Sequence, residues 1–132
     1  MTPEQKKERV REFVRALDKG NASLLDKLIA PQFTFELMTD APGFPNKMNR
    51  AEFLDTLPKM LAQILPNGFN YTCGNAVAEG DHVAMQGTCD SVTSTGRKYA
   101  NRYHWYFRFA GDKIDNFREY MDAYAIMEAF KP

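Results

Sequence analysis

Apolar residues recur at helical spacing in the first part of the chain and alternate with polar ones in the last part. Val10, Phe13, Val14 and Leu17 lie on one helical stripe behind Thr2-Pro3-Glu4-Gln5, which has the form of a capping box with proline in the first turn. Gly20 closes that helix, and Asn21 caps a short second one with Leu24, Leu25, Leu28 and Ile29 on its apolar face, ended by Pro31. Phe33, Phe35 and Leu37 alternate with Thr34, Glu36 and Met38, which predicts a first strand. Residues 39–48 read as a loop. Asn49, with Glu52 three positions on, starts a third helix to about Leu65, and Pro58 is expected to kink or split it.

After the turn Pro66-Asn67-Gly68, four strands are predicted over residues 69–78, 82–93, 97–109 and 114–121. Their turns are Glu79-Gly80-Asp81, Thr95-Gly96 and Gly111-Asp112, and a final helix covers residues 123–130. Helices followed by an antiparallel meander define an α+β fold, and no linker or repeat divides the 132 residues, so one domain is expected.

Composition removes several classes of function. Seventeen basic residues balance seventeen acidic ones, so the basic excess of a nucleic-acid or membrane-surface protein is missing. The longest apolar run, Ala123 to Met127, is far too short to span a bilayer, and the polar segment Met1 to Arg11 is unlike a signal peptide. Cys73 and Cys89 form no CxxC pair and read as buried thiols of a reducing cytoplasm. His82 and His104 stand apart from any metal-ligand motif, and no phosphate-binding glycine loop is present, so neither metal nor cofactor is expected.

Counting strand registers outward from two-residue turns brings ionisable groups together. From Gly111-Asp112, His104 falls opposite Glu119, Tyr106 opposite Phe117 and Arg102 opposite Met121. From Thr95-Gly96, Met85, Gly87 and Cys89 join the same face beside Tyr106, His104 and Arg102. Such a face, apolar with a few convergent polar groups, has the character of a small-molecule pocket. A carboxylate beside an imidazole fixes its tautomer and lets it shuttle protons near neutral pH, although the same two residues also make an ordinary cross-strand pair. Arg102 reads either as a structural ion-pair partner or as a contact to an anionic ligand group. A one-residue slip in register would separate His104 from Glu119.

The run from Tyr99 to Ile114, with Tyr103-His104-Trp105-Tyr106-Phe107, and the closing Arg118-Glu119-Tyr120-Met121-Asp122 resemble the C-terminal hairpin of SnoaL-like proteins of the nuclear transport factor 2-like superfamily. The resemblance follows the element order of nearly the whole chain. It implies a cone, a strongly curved antiparallel sheet wrapped around the N-terminal helices, with a pocket inside and homodimers formed through the outer sheet face. It places His104 and Glu119 inside and Trp105 outside. It also implies an aldol-type cyclase acid at Glu119 assisted by His104, with Asp122 as the other acidic match.

The superfamily includes ketosteroid isomerases, whose tyrosine and aspartate would fall on Phe13 and Leu37, which disfavours that mechanism despite the neighbouring Glu36. Limonene epoxide hydrolase needs Arg-x-Asp where this chain has Thr88-Cys89-Asp90, and scytalone dehydratase needs a second pocket histidine where His82 sits in a turn. The expected function is therefore cofactor-free proton transfer on a small apolar carbonyl compound, by isomerisation, aldol-type cyclisation or dehydration. His104 and Glu119 are the candidate catalytic pair, and Arg102, Tyr106, Phe117, Met121, Phe13 and Met85 the substrate-binding set. Binding of an apolar ligand without turnover, or a dimeric interaction role, is the alternative.

Overall fold

The computed structural model describes all 132 residues, Met1–Pro132, in four helices and six strands. Helix α1 (Pro3–Asp18) begins at the Thr2 capping box, in which the Thr2 hydroxyl accepts from Gln5 N–H and the Gln5 side chain accepts from Thr2 N–H. It ends in a Schellman turn: Gly20 at φ +65° lets Gly20 N–H bond Leu17 O and Asn21 N–H bond Ala16 O. Asn21 then caps α2 (Ala22–Leu28). The chain next enters β1 (Ile29–Leu37), which begins four residues before the expected Phe33 and includes Pro31. The short edge strand β2 (Lys47–Asn49) occupies the end of the expected loop. Helix α3 (Arg50–Ile64) opens with the Asn49–Glu52 capping box and continues as one element past Pro58.

The last strands are β3 (Tyr71–Glu79), β4 (His82–Val92), β5 (Lys98–Ala110) and β6 (Lys113–Met121), followed by α4 (Ala123–Phe130), capped by Asp122. One mixed sheet runs in the order β2-β1-β6-β5-β4-β3. All neighbours are antiparallel except β1 and β6, which the intervening chain joins in parallel. Register breaks in the β1–β6, β3–β4 and β5–β6 ladders bend the sheet, since a bulge adds local twist and curvature.

The curled sheet holds the helices on one face. Phe13 from α1, Phe53 from α3, and Phe33, Phe107 and Phe117 from the strands meet with ring centroids 4.9–6.4 Å apart, all essentially without solvent contact. This aromatic cluster joins α1 and α3 to the inner face of the sheet. No helix is long and apolar enough to cross a membrane.

Strand β5 differs from expectation by one residue against both neighbours. The β4–β5 connection is a three-residue loop, Ser94-Thr95-Gly96, with Thr93 N–H bonding Arg97 O and Gly96 at φ +85°. Gly87 therefore faces Tyr103 and Met85 faces Trp105. On the other side, Ala110–Lys113 and Phe109–Ile114 pair as expected, but a bulge then carries Arg108 to Asn116. Trp105 thus faces Glu119, and His104 faces Tyr120.

The segment that leads into β3 depends on the end of α1. The Asp18 carboxylate accepts N–H bonds from Asn70 (2.8 Å) and Tyr71 (2.9 Å), and its backbone carbonyl accepts from Phe69 (3.1 Å). Asn70 has a φ of +57°, a left-handed conformation that these bonds hold in place. Asp18→Asn replaces one anionic acceptor oxygen by a donor. It is expected to destabilise the fold by about 1.5–3 kcal/mol in urea denaturation and to speed amide exchange at Asn70 and Tyr71.

Candidate active site

The slip of β5 redistributes the expected site residues. His104, Arg102 and Tyr106 point to the outer face of the sheet, the first two exposed. Tyr106 stacks on His82, whose Nδ1 lies 2.6 Å from the Tyr106 hydroxyl, and the Arg118 guanidinium sits 5.4 Å from the Tyr106 ring centre. Arg102 and His104 border a shallow outer groove with Gln86, Thr88 and Tyr120. The expected His104–Glu119 pair is therefore not formed. Trp105, expected on the outside, is fully buried inside, and its Nε1–H donates to Glu119 Oε2 at 3.1 Å. Phe117 and Met121 line inner cavities, whereas Phe13 and Met85 are packed into the core and touch neither cavity.

Two narrow, largely apolar cavities lie inside the cone, of about 80 Å³ and about 50 Å³. Phe35, Met48, Met60, Phe69 and Glu119 belong to the walls of both, so the two spaces meet around one carboxyl group. The larger lies under the 39–46 loop and α4, with Phe44 and Phe130 in contact across its mouth at 5.7 Å. Arg97 fastens that end of α4 by donating to the carbonyls of Glu128, Lys131 and Pro132. The smaller cavity reaches inward to Leu17, Phe53, Tyr71 and Phe117.

Glu119 keeps some accessible surface, and because it lines both cavities that surface faces their interior while protein encloses the carboxyl. Loss of hydration raises its pKa to about 7, against a partial offset from the Trp105 N–H bond. Beside it stands a set of aromatic hydroxyls. Tyr99 and Tyr103 are 2.8 Å apart, oxygen to oxygen, and Asn101 Nδ2 donates to Tyr99 at 2.9 Å and to Asp122 O at 3.1 Å. The Cys89 thiol lies 3.5 Å from the Tyr103 hydroxyl, and burial pushes its pKa up, which keeps it a thiol and a poor nucleophile. The Tyr71 hydroxyl is buried and has no hydrogen-bond partner within the protein. Asp122, the other acidic match, caps α4 through a bond from Tyr124 N–H. No group of three or more His, Cys, Asp or Glu side chains is placed to hold a metal.

Tyr71, Tyr99, Tyr103 and Trp105 escape a reading based on turn counting. The polarity of β5 carries the missing signal. Its odd positions are Tyr99, Asn101, Tyr103, Trp105, Phe107 and Phe109, whereas its even positions include Lys98, Arg102, His104 and Arg108. That alternation puts the odd set inside.

The chain belongs to the SnoaL-like domain family, which matches residues 10–117. Comparison with curated proteins finds no match. Among solved structures, a candidate isomerase from Bacillus subtilis is 22% identical, with 96% of this chain and 93% of that one covered and a TM-score of 0.82. An NTF2-like protein of unknown function from Burkholderia pseudomallei is 13% identical over the full length of both chains, with a TM-score of 0.85. An LEH-like epoxide hydrolase from M. tuberculosis is 16% identical, covering 96% and 90%, with a TM-score of 0.75. At these identities the likeness shows the fold, a nuclear transport factor 2-like α+β cone, and leaves the chemistry to the site.

Proposed function

We propose that this protein binds a small apolar carbonyl compound inside the cone and that Glu119 moves a proton on it. The observation that carries this reading is one carboxyl at the junction of two apolar cavities, with a single hydrogen-bond donor and a pKa raised to about 7. A general acid–base group works best with its pKa near the operating pH, and typically contributes about 10²–10⁴-fold in rate. The cavity walls are almost entirely hydrophobic, which suits a ligand with an apolar body and excludes bulk water from the proton. Isomerisation, aldol-type cyclisation and dehydration all begin with such a transfer. The names of two structural relatives, a candidate isomerase and an epoxide hydrolase, are compatible with proton chemistry. A homodimer joined through the outer sheet face, in the cytoplasm, belongs to the same reading.

Binding without turnover remains the second reading, favoured by the position of His104 outside the cone, which leaves Glu119 without an imidazole partner. Exchange of the α-hydrogens of cyclohexanone for deuterium, followed by NMR, separates the two. The wild-type chain is expected to accelerate exchange, with kcat/KM rising to a plateau above about pH 7, where Glu119 is a carboxylate. Glu119→Gln is expected to lower that rate at least about 10²-fold. Cyclohexanone binding with no exchange above background assigns the protein to binding alone.

A further inference from the structure

The two inner cavities, about 80 Å³ and about 50 Å³, are together smaller than the roughly 150 Å³ that takes a benzene-sized guest in an apolar core. A ring-sized ligand therefore enters only where a wall gives way. Helix α4 is a fixed wall. At its start Asn101 Oδ1 accepts from Asp122 N–H at 3.0 Å and Asn101 Nδ2 donates to Asp122 O, and at its end Arg97 holds three carbonyls. Phe130 is tied to the sheet as well, its ring centre 5.2 Å from that of Tyr99.

Residues 39–46 are the wall without such ties. Every hydrogen bond they make ends within the loop or at its stem. Phe44 N–H donates to Ala41 O at 3.1 Å, Asn46 Nδ2 to Asp40 Oδ1 at 2.8 Å, and Leu37 N–H to Asn46 O at 2.8 Å. Gly43 has a φ of +85°, and a Cβ there would meet nothing within 4 Å, so the tip stands clear of the rest of the fold. Across the mouth the closing contact is apolar, with Phe130 the one aromatic partner of Phe44. Such a segment opens without breaking a hydrogen bond to any other element, which places it at the low end of local stability. Its hinge is the stem, where Glu36 pairs with Lys47 in the β1–β2 ladder.

We propose that residues 39–46 form a flap that lifts off Phe130 to admit the ligand and settles on its outer end, so that Phe44 limits the ligand to a ring without a long tail. This rests on the reading of the cone as a ligand cavity and is independent of proton transfer at Glu119. A gate slows entry and exit together, whereas a wall contact that merely holds a ligand slows exit alone.

The probes are cyclohexanone and the same ring with a butyl tail opposite its carbonyl, followed in stopped flow by quenching of Trp105 fluorescence. Phe44→Ala is expected to raise both the association and the dissociation rate of cyclohexanone about tenfold, with Kd changed less than about threefold. It is expected to bind the butyl compound at least about tenfold more tightly than the wild type does. Arg97→Gln, which loosens α4, is expected to leave the association rate unchanged. In the ligand-free wild type, relaxation dispersion is expected to show microsecond-to-millisecond exchange at the amides of residues 40–46 and none at 123–130. Equal association rates in the wild type and Phe44→Ala overturn the proposal, as does acceleration confined to Arg97→Gln, which would make α4 the moving wall. If the wild type binds neither ketone, the ligand reading fails, and flat dispersion at residues 40–46 then overturns the flap on its own. The Glu119 reading fails separately, by undiminished exchange in Glu119→Gln, and a rate effect of Phe44→Ala would survive that result.

Discussion

Folding stability is expected to fall as pH rises from about 4.5 to 7, and Glu119→Gln is expected to remove that fall. The carboxyl has an ordinary pKa of 4.5 when the chain is unfolded and about 7 when folded, raised chiefly by burial. Between those values the folded state binds the extra proton, so raising the pH favours unfolding. The contribution is fully present below about pH 4.5 and is lost as pH climbs through about 7. At 1.36 kcal/mol per pKa unit, the loss is about 3 kcal/mol, a large share of the stability of a domain this size. The measurement is urea denaturation of both proteins from pH 4.5 to 8.5. The other titrating groups are common to the two proteins, so the difference between their curves isolates Glu119. The Gln carbonyl can still accept the Trp105 N–H, which keeps the packing comparable. Parallel curves would show that the carboxyl is not desolvated, and would remove the basis for proton transfer near neutral pH.

A buried carboxyl that weakens the fold at neutral pH has no structural justification in its surroundings. Its single donor only partly offsets the lost hydration, and no basic side chain is paired with it. An apolar residue there would fill the cavity and stabilise the cone. Groups that break the rule for a core position are concentrated at functional sites, where burial sets the reactivity. Tyr71 breaks the same rule on the wall of the same small cavity, with a buried hydroxyl that has no partner within the protein.

The sequence carries most of the scaffold plainly, because its helix signals are local. Thr2 with Gln5 and Asn49 with Glu52 form the capping boxes their spacing predicts, and Asn21 and Gly20 act at the α1–α2 junction as their types require. The inward side of β4 and β6 is also legible, with Met85, Cys89 and Phe117 buried and Glu119 facing the cavities. Strand β5 is not reached by turn counting, since one extra loop residue at Ser94-Thr95-Gly96 and one bulge near Phe109 each shift it by one position. The two shifts add to two residues between β4 and β6, so the faces of both outer strands are preserved. They leave only the strand between them inverted, which exchanges His104 for Trp105 as the neighbour of Glu119. Neither shift has a local sequence code as strong as a helix cap, whereas the polarity alternation along β5 records their combined effect. The parallel β1–β6 pair is long-range and has no local signal either; it brings Leu37 beside Glu119, so an acid absent at position 37 stands one strand away.

Gly87→Ala is expected to be the most damaging single methyl addition in the sheet, and its effect passes through Trp105 to Glu119. A Cβ at position 87 would lie 2.5 Å from Trp105 Cη2, closer still to Cζ3, and 3.1 Å from Thr72 O. The indole cannot simply yield, because it is fully buried, stacked on Tyr103 at 5.1 Å and meeting Tyr71 edge to face. Overpacking of a filled core typically costs about 1–3 kcal/mol. Displacing the indole also breaks its bond to a carboxyl, a further loss of about 1.5–3 kcal/mol when Glu119 is charged. The expected total is about 3–5 kcal/mol at pH 8, and less at pH 5, where Glu119 is protonated and the lost bond is weaker. Trp105 is the only tryptophan, so its fluorescence reports the displacement directly. Phenylalanine at position 105 lacks the outer indole atoms that collide with the new methyl. In a Trp105→Phe background, followed by circular dichroism, Gly87→Ala is expected to cost at most about 1 kcal/mol, giving a coupling between the two sites of about 2 kcal/mol or more. Additive effects in that cycle would mean that strand β4 moves away from the indole instead, and that Gly87 does not position Glu119.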